Sequence, residues 1–116
     1  MENGKIEDDE TLLLERSLFN YRINMFVAIN GKLKITDKTV IWYNKKHNYR
    51  IPLEKITSIE QRNFLFLIKT GIRIKTQGMK KKNLSFVSFP SERDDIIKVV
   101  KSEMNIINAI DLHSLG

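Results

Sequence analysis

Gly31-Lys-Leu-Lys-Ile-Thr-Asp-Lys-Thr-Val-Ile-Trp-Tyr43, with Tyr49-Arg-Ile-Pro-Leu-Glu-Lys-Ile-Thr-Ser-Ile59 close behind it, carries the most structural information in this chain. Lys32 to Ile35 alternates, placing Leu33 and Ile35 on one face of a strand and the two lysines on the other. Asn30-Gly31 before it reads as a two-residue hairpin turn, because both residues tolerate positive φ. Asp37-Lys38 reads as a second tight turn. Residues 39–43 are β-branched and aromatic, which suits a strand covered on both faces. Residues 49–53 alternate again, and Pro52, lacking an N–H, puts that strand at an edge or at its end. This is a meander of short antiparallel strands.

The pattern continues outward on both sides. Residues 12–20 read as a short helix or a first strand, with Leu13, Leu14 and Leu18 at helical spacing. Residues 26–29 form a short apolar strand, and residues 56–61, 64–69, 72–76 and 84–89 give four more candidates. Gly71 separates two of these, and a loop over residues 77–83 holds Gly78 and the lysine triplet 80–82. A helix follows over about residues 91–112. Ser91 is its candidate cap, Asp94 lies close behind, and Ile96, Val100, Met104, Ile107 and Ile110 make one apolar stripe. The fold class is therefore mainly β with a C-terminal helix. Leu33, Ile35, Trp42, Ile51, Leu53, Ile74, Phe86 and Val100 are the expected core.

Composition bounds the function. A chain of 116 residues, 41% hydrophobic and 29% charged, is one domain with a core of its own. It has no cysteine, which removes disulfides, thiolate metal sites and a thiol nucleophile. No apolar run reaches membrane-spanning length, and the acidic N-terminus is not a signal peptide. His47 and His113 stand apart, and no nucleophile elbow, phosphate loop or metal-ligand spacing is present. The reading is a non-enzyme with no cofactor and no metal, cytoplasmic or peripheral at the inner face of a membrane.

Charge is distributed unevenly. Residues 1–20 carry a net −4, residues 21–90 a net +12 and residues 91–116 a net −2. Residues 1–11 read as a disordered acidic tail and 113–116 as a second short tail, leaving residues 12–112 as the domain. The cationic middle suits an anionic partner. The first candidate anion or lipid site is Lys45, Lys46 and Arg50 with Lys80, Lys81 and Lys82, two basic loops that would converge on a phosphate at one open end. A second basic face comprises Lys32, Lys34, Arg73 and Lys75, a stripe if their strands lie side by side. The simpler reading of both sets is solvated surface. Trp42 reads as core rather than as a ligand-stacking ring. Nucleic acid is the least favoured partner, because the aromatics alternate inward. A protein partner, or self-association through the strand at residues 49–53 and the apolar Ile106, Ala109, Leu112 and Leu115, is the alternative to anionic phospholipid headgroups.

Asn30-Gly31-Lys32-Leu33, Ile35-Thr36-Asp37, Ile41-Trp42-Tyr43, Ile51-Pro52-Leu53 with Ile56, Ser58-Ile59, Ile72-Arg73-Ile74 and Phe86-Val87-Ser88-Phe89 before a helix together resemble the pleckstrin-homology (PH) superfold. Within it, they resemble the GRAM type and its small bacterial relatives. The resemblance covers about residues 25–103. It implies a PH-like barrel of about seven antiparallel strands capped by one amphipathic helix, with no catalytic residues and a lipid- or protein-binding role.

Overall fold

The computed structural model describes residues 3–17, 19–22, 27–64, 68–80, 82–88 and 90–115, with the backbone alone at 63–64, 68–70, 90 and 110–115. Nine strand segments are present among these: β1 Leu12–Arg16, β2 Asn20–Arg22, β3 Ala28–Ile29, β4 Lys32–Thr36, β5 Thr39–Tyr43, β6 Asn48–Pro52, β7 Ile56–Phe64, β8 Ile68–Thr76 and β9 Asn83–Val87. A 3-10 turn at Leu53–Lys55 joins β6 to β7, and helix α1 spans Pro90–Leu115. The strands form two antiparallel sheets, ordered β1-β4-β5-β6 and β3-β2-β9-β8-β7. The mainly β architecture with a C-terminal helix stands. No ladder joins the sheets into a closed seven-stranded barrel among the described residues.

The Asn30-Gly31 turn is not a hairpin. β3 pairs with β2 in one sheet, whereas β4 pairs with β1 and β5 in the other. Asn30 and Gly31 are thus a corner at which the chain changes sheets, and a matching corner lies between β1 and β2, with Ser17 and Phe19 at its two ends. The Phe19 N–H donates to the Gly31 carbonyl at 3.1 Å and ties the two corners together. Positive φ is not what the corner asks of Gly31. A Cβ there would lie 2.4 Å from the Trp42 ring, so glycine is needed for the close approach of the indole.

β7 and β8 are single nine-residue strands, so of the strand expected at residues 64–69, Phe64 ends β7 and residues 68–69 begin β8, while residues 65–67 lie outside the described residues. Gly71 lies inside β8 opposite Arg62, whose carbonyl a Cβ at Gly71 would meet at 2.6 Å. The helix begins at Pro90, one residue before the expected start, and runs on to Leu115, so residues 113–115 continue the helix rather than form a tail. Proline suits the first helical position because the N–H it lacks has no intrahelical partner there. Phe26 and Phe89, expected at strand ends, lie outside the described residues.

The expected core is present. Leu33, Ile35, Trp42, Ile51, Leu53, Ile74, Phe86 and Val100 share one buried cluster, joined by Phe19, Tyr21, Ile59, Ile72, Leu84 and Ile96. Each aliphatic side chain so removed from water contributes about 1.5–3 kcal/mol. Met104 and Ile107 continue the helix stripe against the cluster.

The N-terminal segment departs most from expectation. Residues 3–11 are not a free tail. They cross the outward face of the β1-β4-β5-β6 sheet. Lys34, Ile41 and Arg50 form one cross-strand row on that face. Lys34 Nζ donates to the Gly4 carbonyl at 2.9 Å and Arg50 Nη1 to the Lys5 carbonyl at 2.8 Å, so the chain passes over Ile41 between them. Ile41 is fully buried although it lies outside the core cluster. The physical reason is complementarity: a segment rich in carboxylates meets a face rich in cations, and the sheet's apolar centre gains a cover.

Candidate functional site

The structure regroups the sequence candidates. An open groove of about 550 Å³ is lined by Asn3, Ser17, Asn30, Gly31, Lys32, Tyr43, Asn44 and Lys45. It lies where the two strand corners, the β5–β6 hairpin and the start of the N-terminal segment meet. Asn44 builds it. Its Oδ1 accepts from the N–H groups of Lys46 at 2.9 Å and His47 at 2.7 Å, which closes the hairpin as an Asx turn. Its Nδ2 donates to the Asn30 carbonyl at 3.0 Å, holding the hairpin to the corner. Asn3 Nδ2 donates to the Asn44 carbonyl at 2.8 Å and closes the side of the groove.

Lys32 and Lys45 flank this groove, one from each set drawn from the sequence. Both are exposed, and neither ammonium makes an ion pair or hydrogen bond among the described residues. Lys46 is exposed in the same hairpin. Among the described residues the two basic loops line no common groove. Lys80 and Lys82 belong to the β8–β9 loop, whose Gln77 N–H is tied to the Lys55 carbonyl beyond the far end of β6. Neither lines the groove, and Lys81 lies outside the described residues. The single stripe of Lys32, Lys34, Arg73 and Lys75 also does not exist, because β4 and β8 belong to different sheets. Lys75 pairs instead with Glu60 at 3.2 Å, and that hydrogen bond lowers the Glu60 carboxyl below its ordinary range. Arg73 is half-buried opposite Glu60 and Ser85.

Arg50 and Lys34 are committed to the N-terminal segment. Besides the Lys5 carbonyl, Arg50 binds the Glu10 carboxylate. The Glu10 side chain is 2% exposed. Burial pushes its pKa up, but hydrogen bonds from Thr36, Thr39, Arg50 and the Glu7 backbone outweigh burial and hold it at about 2. Thr36 donates to Glu10 Oε2 at 2.6 Å, while its hydroxyl oxygen accepts from the N–H groups of Lys38 and Thr39 and so shapes the Asp37-Lys38 turn. Lys38 Nζ lies 2.8 Å from Asp9, a hydrogen bond that lowers the carboxyl pKa and raises that of the ammonium. Lys34 Nζ also lies 5.1 Å from the centre of the Tyr43 ring.

The sequence reading had missed Asn44, Asn3 and Glu10. Asn44 carried a signal, an asparagine opening a polar hairpin. Glu10 carried none beyond its charge, since its partners come from β4, β5 and β6. Among the described residues no group of three or more His, Asp or Glu side chains could hold a metal ion, and no helix is long and apolar enough to cross a membrane.

The sequence profile of the GRAM domain family matches residues 3–109. The chain belongs to the GRAM domain family. The match begins at Asn3, so the segment docked on the sheet lies inside it. Among solved structures, this GRAM domain is similar to the C-terminal domain of an unknown protein from Leishmania infantum, with a TM-score of 0.66 and 18% identity over 82% of this chain and 84% of that one. It is also similar to the DH/PH domains of p115-RhoGEF, with a TM-score of 0.65 and 9% identity over 83% of this chain and 31% of that one. Human RhoA in complex with the DH/PH fragment of PDZRHOGEF matches at a TM-score of 0.65 and 8% identity, over 83% of this chain and 29% of that one. At these identities the likeness concerns the fold alone. No curated protein matches the chain in sequence.

Proposed function

We propose that this GRAM domain is a non-enzymatic binding module that associates with the anionic face of a membrane through the groove between Lys32 and Lys45. GRAM and PH-like folds are typically lipid- or protein-binding modules. The observation that carries the reading is the pair of exposed ammonium groups of Lys32 and Lys45, which make no ion pair or hydrogen bond among the described residues and line one open groove rimmed by amides and a tyrosine ring. A phosphate there meets two cations and several amide donors. The surrounding excess of positive charge draws the domain to an anionic surface over a Debye length of about 10 Å at 0.1 M salt.

The test is co-sedimentation with phosphatidylcholine vesicles, with and without phosphatidylserine, across a salt titration and against a nucleic-acid competitor. Binding that needs the anionic lipid and weakens with salt supports the reading. Equal binding to neutral vesicles, or no binding at about 0.15 M salt, removes it. A second reading, a protein-interaction module, is favoured by Leu12 and Leu13. Both lie exposed on β1, the edge strand of its sheet among the described residues, beside a groove that β1 forms with Val99, Ser102 and Glu103 of α1.

A further inference from the structure

The outward face of the β1-β4-β5-β6 sheet holds three cations, Lys34, Lys38 and Arg50, that the proposed groove does not use. Each is occupied by the protein's own N-terminal segment. Lys34 holds the Gly4 carbonyl, Arg50 holds the Lys5 carbonyl and the Glu10 carboxylate, and Lys38 holds Asp9. The same segment reaches the groove, where Asn3 lines the wall beside Lys45. Strap and groove are therefore continuous, and the strap matches in charge what an anionic surface would present to the same side chains.

We infer that residues 3–11 form an autoinhibitory strap over the membrane-facing surface, and that an anionic phospholipid bilayer displaces it. This inference rests on the binding reading above and extends the surface from Lys32 and Lys45 to Lys34, Lys38 and Arg50. With the strap docked, the domain presents the groove alone. With the strap lifted, five cations on one sheet face and its rim act together. Displacement starts at the Asn3 end, where the contacts are hydrogen bonds to carbonyls and to Asn48, and is complete when Asp9 and Glu10 leave Lys38 and Arg50.

Gly4 allows a test that leaves charge untouched. Its φ is +78°, and a Cβ there would lie 2.6 Å from the Tyr43 ring. Gly4→Val therefore lifts the strap without altering a cation or the core. The readouts are vesicle affinity with phosphatidylserine–phosphatidylcholine vesicles, tryptic cleavage after Lys5 followed by mass, and Trp42 emission as a check on the core. Gly4→Val should cleave faster after Lys5, keep its blue Trp42 emission and bind at least about tenfold more tightly, since each basic residue brought to an anionic surface contributes roughly fivefold. Vesicles should also speed Lys5 cleavage in the wild type. Asp9→Asn should tighten binding more than Asp8→Asn, although both remove one negative charge, because only Asp9 holds a sheet cation.

The inference is overturned if Gly4→Val frees Lys5, keeps its core and binds no more tightly than the wild type, in which case the groove reading survives alone. It is overturned equally if vesicles protect Lys5 from cleavage, or if Asp8→Asn and Asp9→Asn behave alike. If no form binds anionic vesicles, the strap and the groove reading fall together.

Discussion

The indole Nε1 of Trp42 donates to the carbonyl of Phe19 at 2.7 Å, and both residues are essentially inaccessible to solvent. This bond joins the middle of β5 to the corner between β1 and β2. The ring lies under the second corner at Gly31 and stacks on Tyr49 across the strand pair at 5.5 Å. One side chain therefore ties together two of the three places where the chain passes between the sheets, and with them the corner residues Ser17, Asn30 and Gly31 that line the groove.

Trp42→Phe should keep most of the apolar packing but leave the Phe19 carbonyl unpaired, at a cost of about 1–3 kcal/mol. Trp42→Ala should cost about 3–5 kcal/mol. Urea denaturation followed by circular dichroism measures both. A Trp42→Phe variant as stable as the wild type would show that the hydrogen bond contributes nothing.

Gly31→Ala and Gly78→Ala should separate two uses of glycine. At Gly31 the added methyl meets a fully buried indole that cannot give way, so a loss of about 2 kcal/mol or more is expected. Gly78 has φ +70° and open space around it, so only the left-handed conformation penalises a side chain, by about 1–2 kcal/mol. Thermal melts of the two variants should rank in that order.

Glu10 sets the acid limb of stability. Its carboxyl falls from an ordinary value of 4.5 to about 2 in the folded chain, so the folded state prefers the ionised form. That contribution is complete above pH 4.5 and disappears as pH falls from 4.5 towards 2. It amounts to roughly 3 kcal/mol. Denaturant midpoints measured through this window should fall steeply in the wild type. Glu10→Gln should be less stable at neutral pH and show a flatter acid limb.

Lysine substitutions should distinguish a site from a diffuse field. Lys32→Ala with Lys45→Ala should weaken anionic-vesicle binding more than Lys80→Ala with Lys82→Ala, although each pair removes two charges. Stability should be unchanged in both, since exposed charges contribute little. Equal losses in co-sedimentation would mean that net charge alone governs the attraction.

Local patterning was legible where each residue's role depended on its immediate neighbours. Alternation in Lys32 to Ile35 and in Ile72 to Thr76 pointed Leu33, Ile35, Ile72 and Ile74 inward, because side chains of a strand face opposite sides in turn. The stripe from Ile96 to Ile107 likewise put the helix on the core. Asn30-Gly31 was legible as a bend but not as a corner. A bend becomes a hairpin only if its two arms pair with each other, and here each arm found a strand of a different sheet.

Thr39 to Tyr43 carried the sign of a strand covered on both faces, but nothing near it in sequence named the cover. That cover is residues 3–11, whose low hydrophobicity reads as disorder until Thr36, Lys38 and Arg50 are gathered on one face to receive Glu10 and Asp9. The chain's own order therefore sufficed for strand, turn and core identity, which are short-range consequences of side-chain direction and turn chemistry. Which cations stay open to a ligand was decided only by folding, because pairing between charges some 30 to 40 residues apart depends on the sheet that brings them within hydrogen-bonding reach.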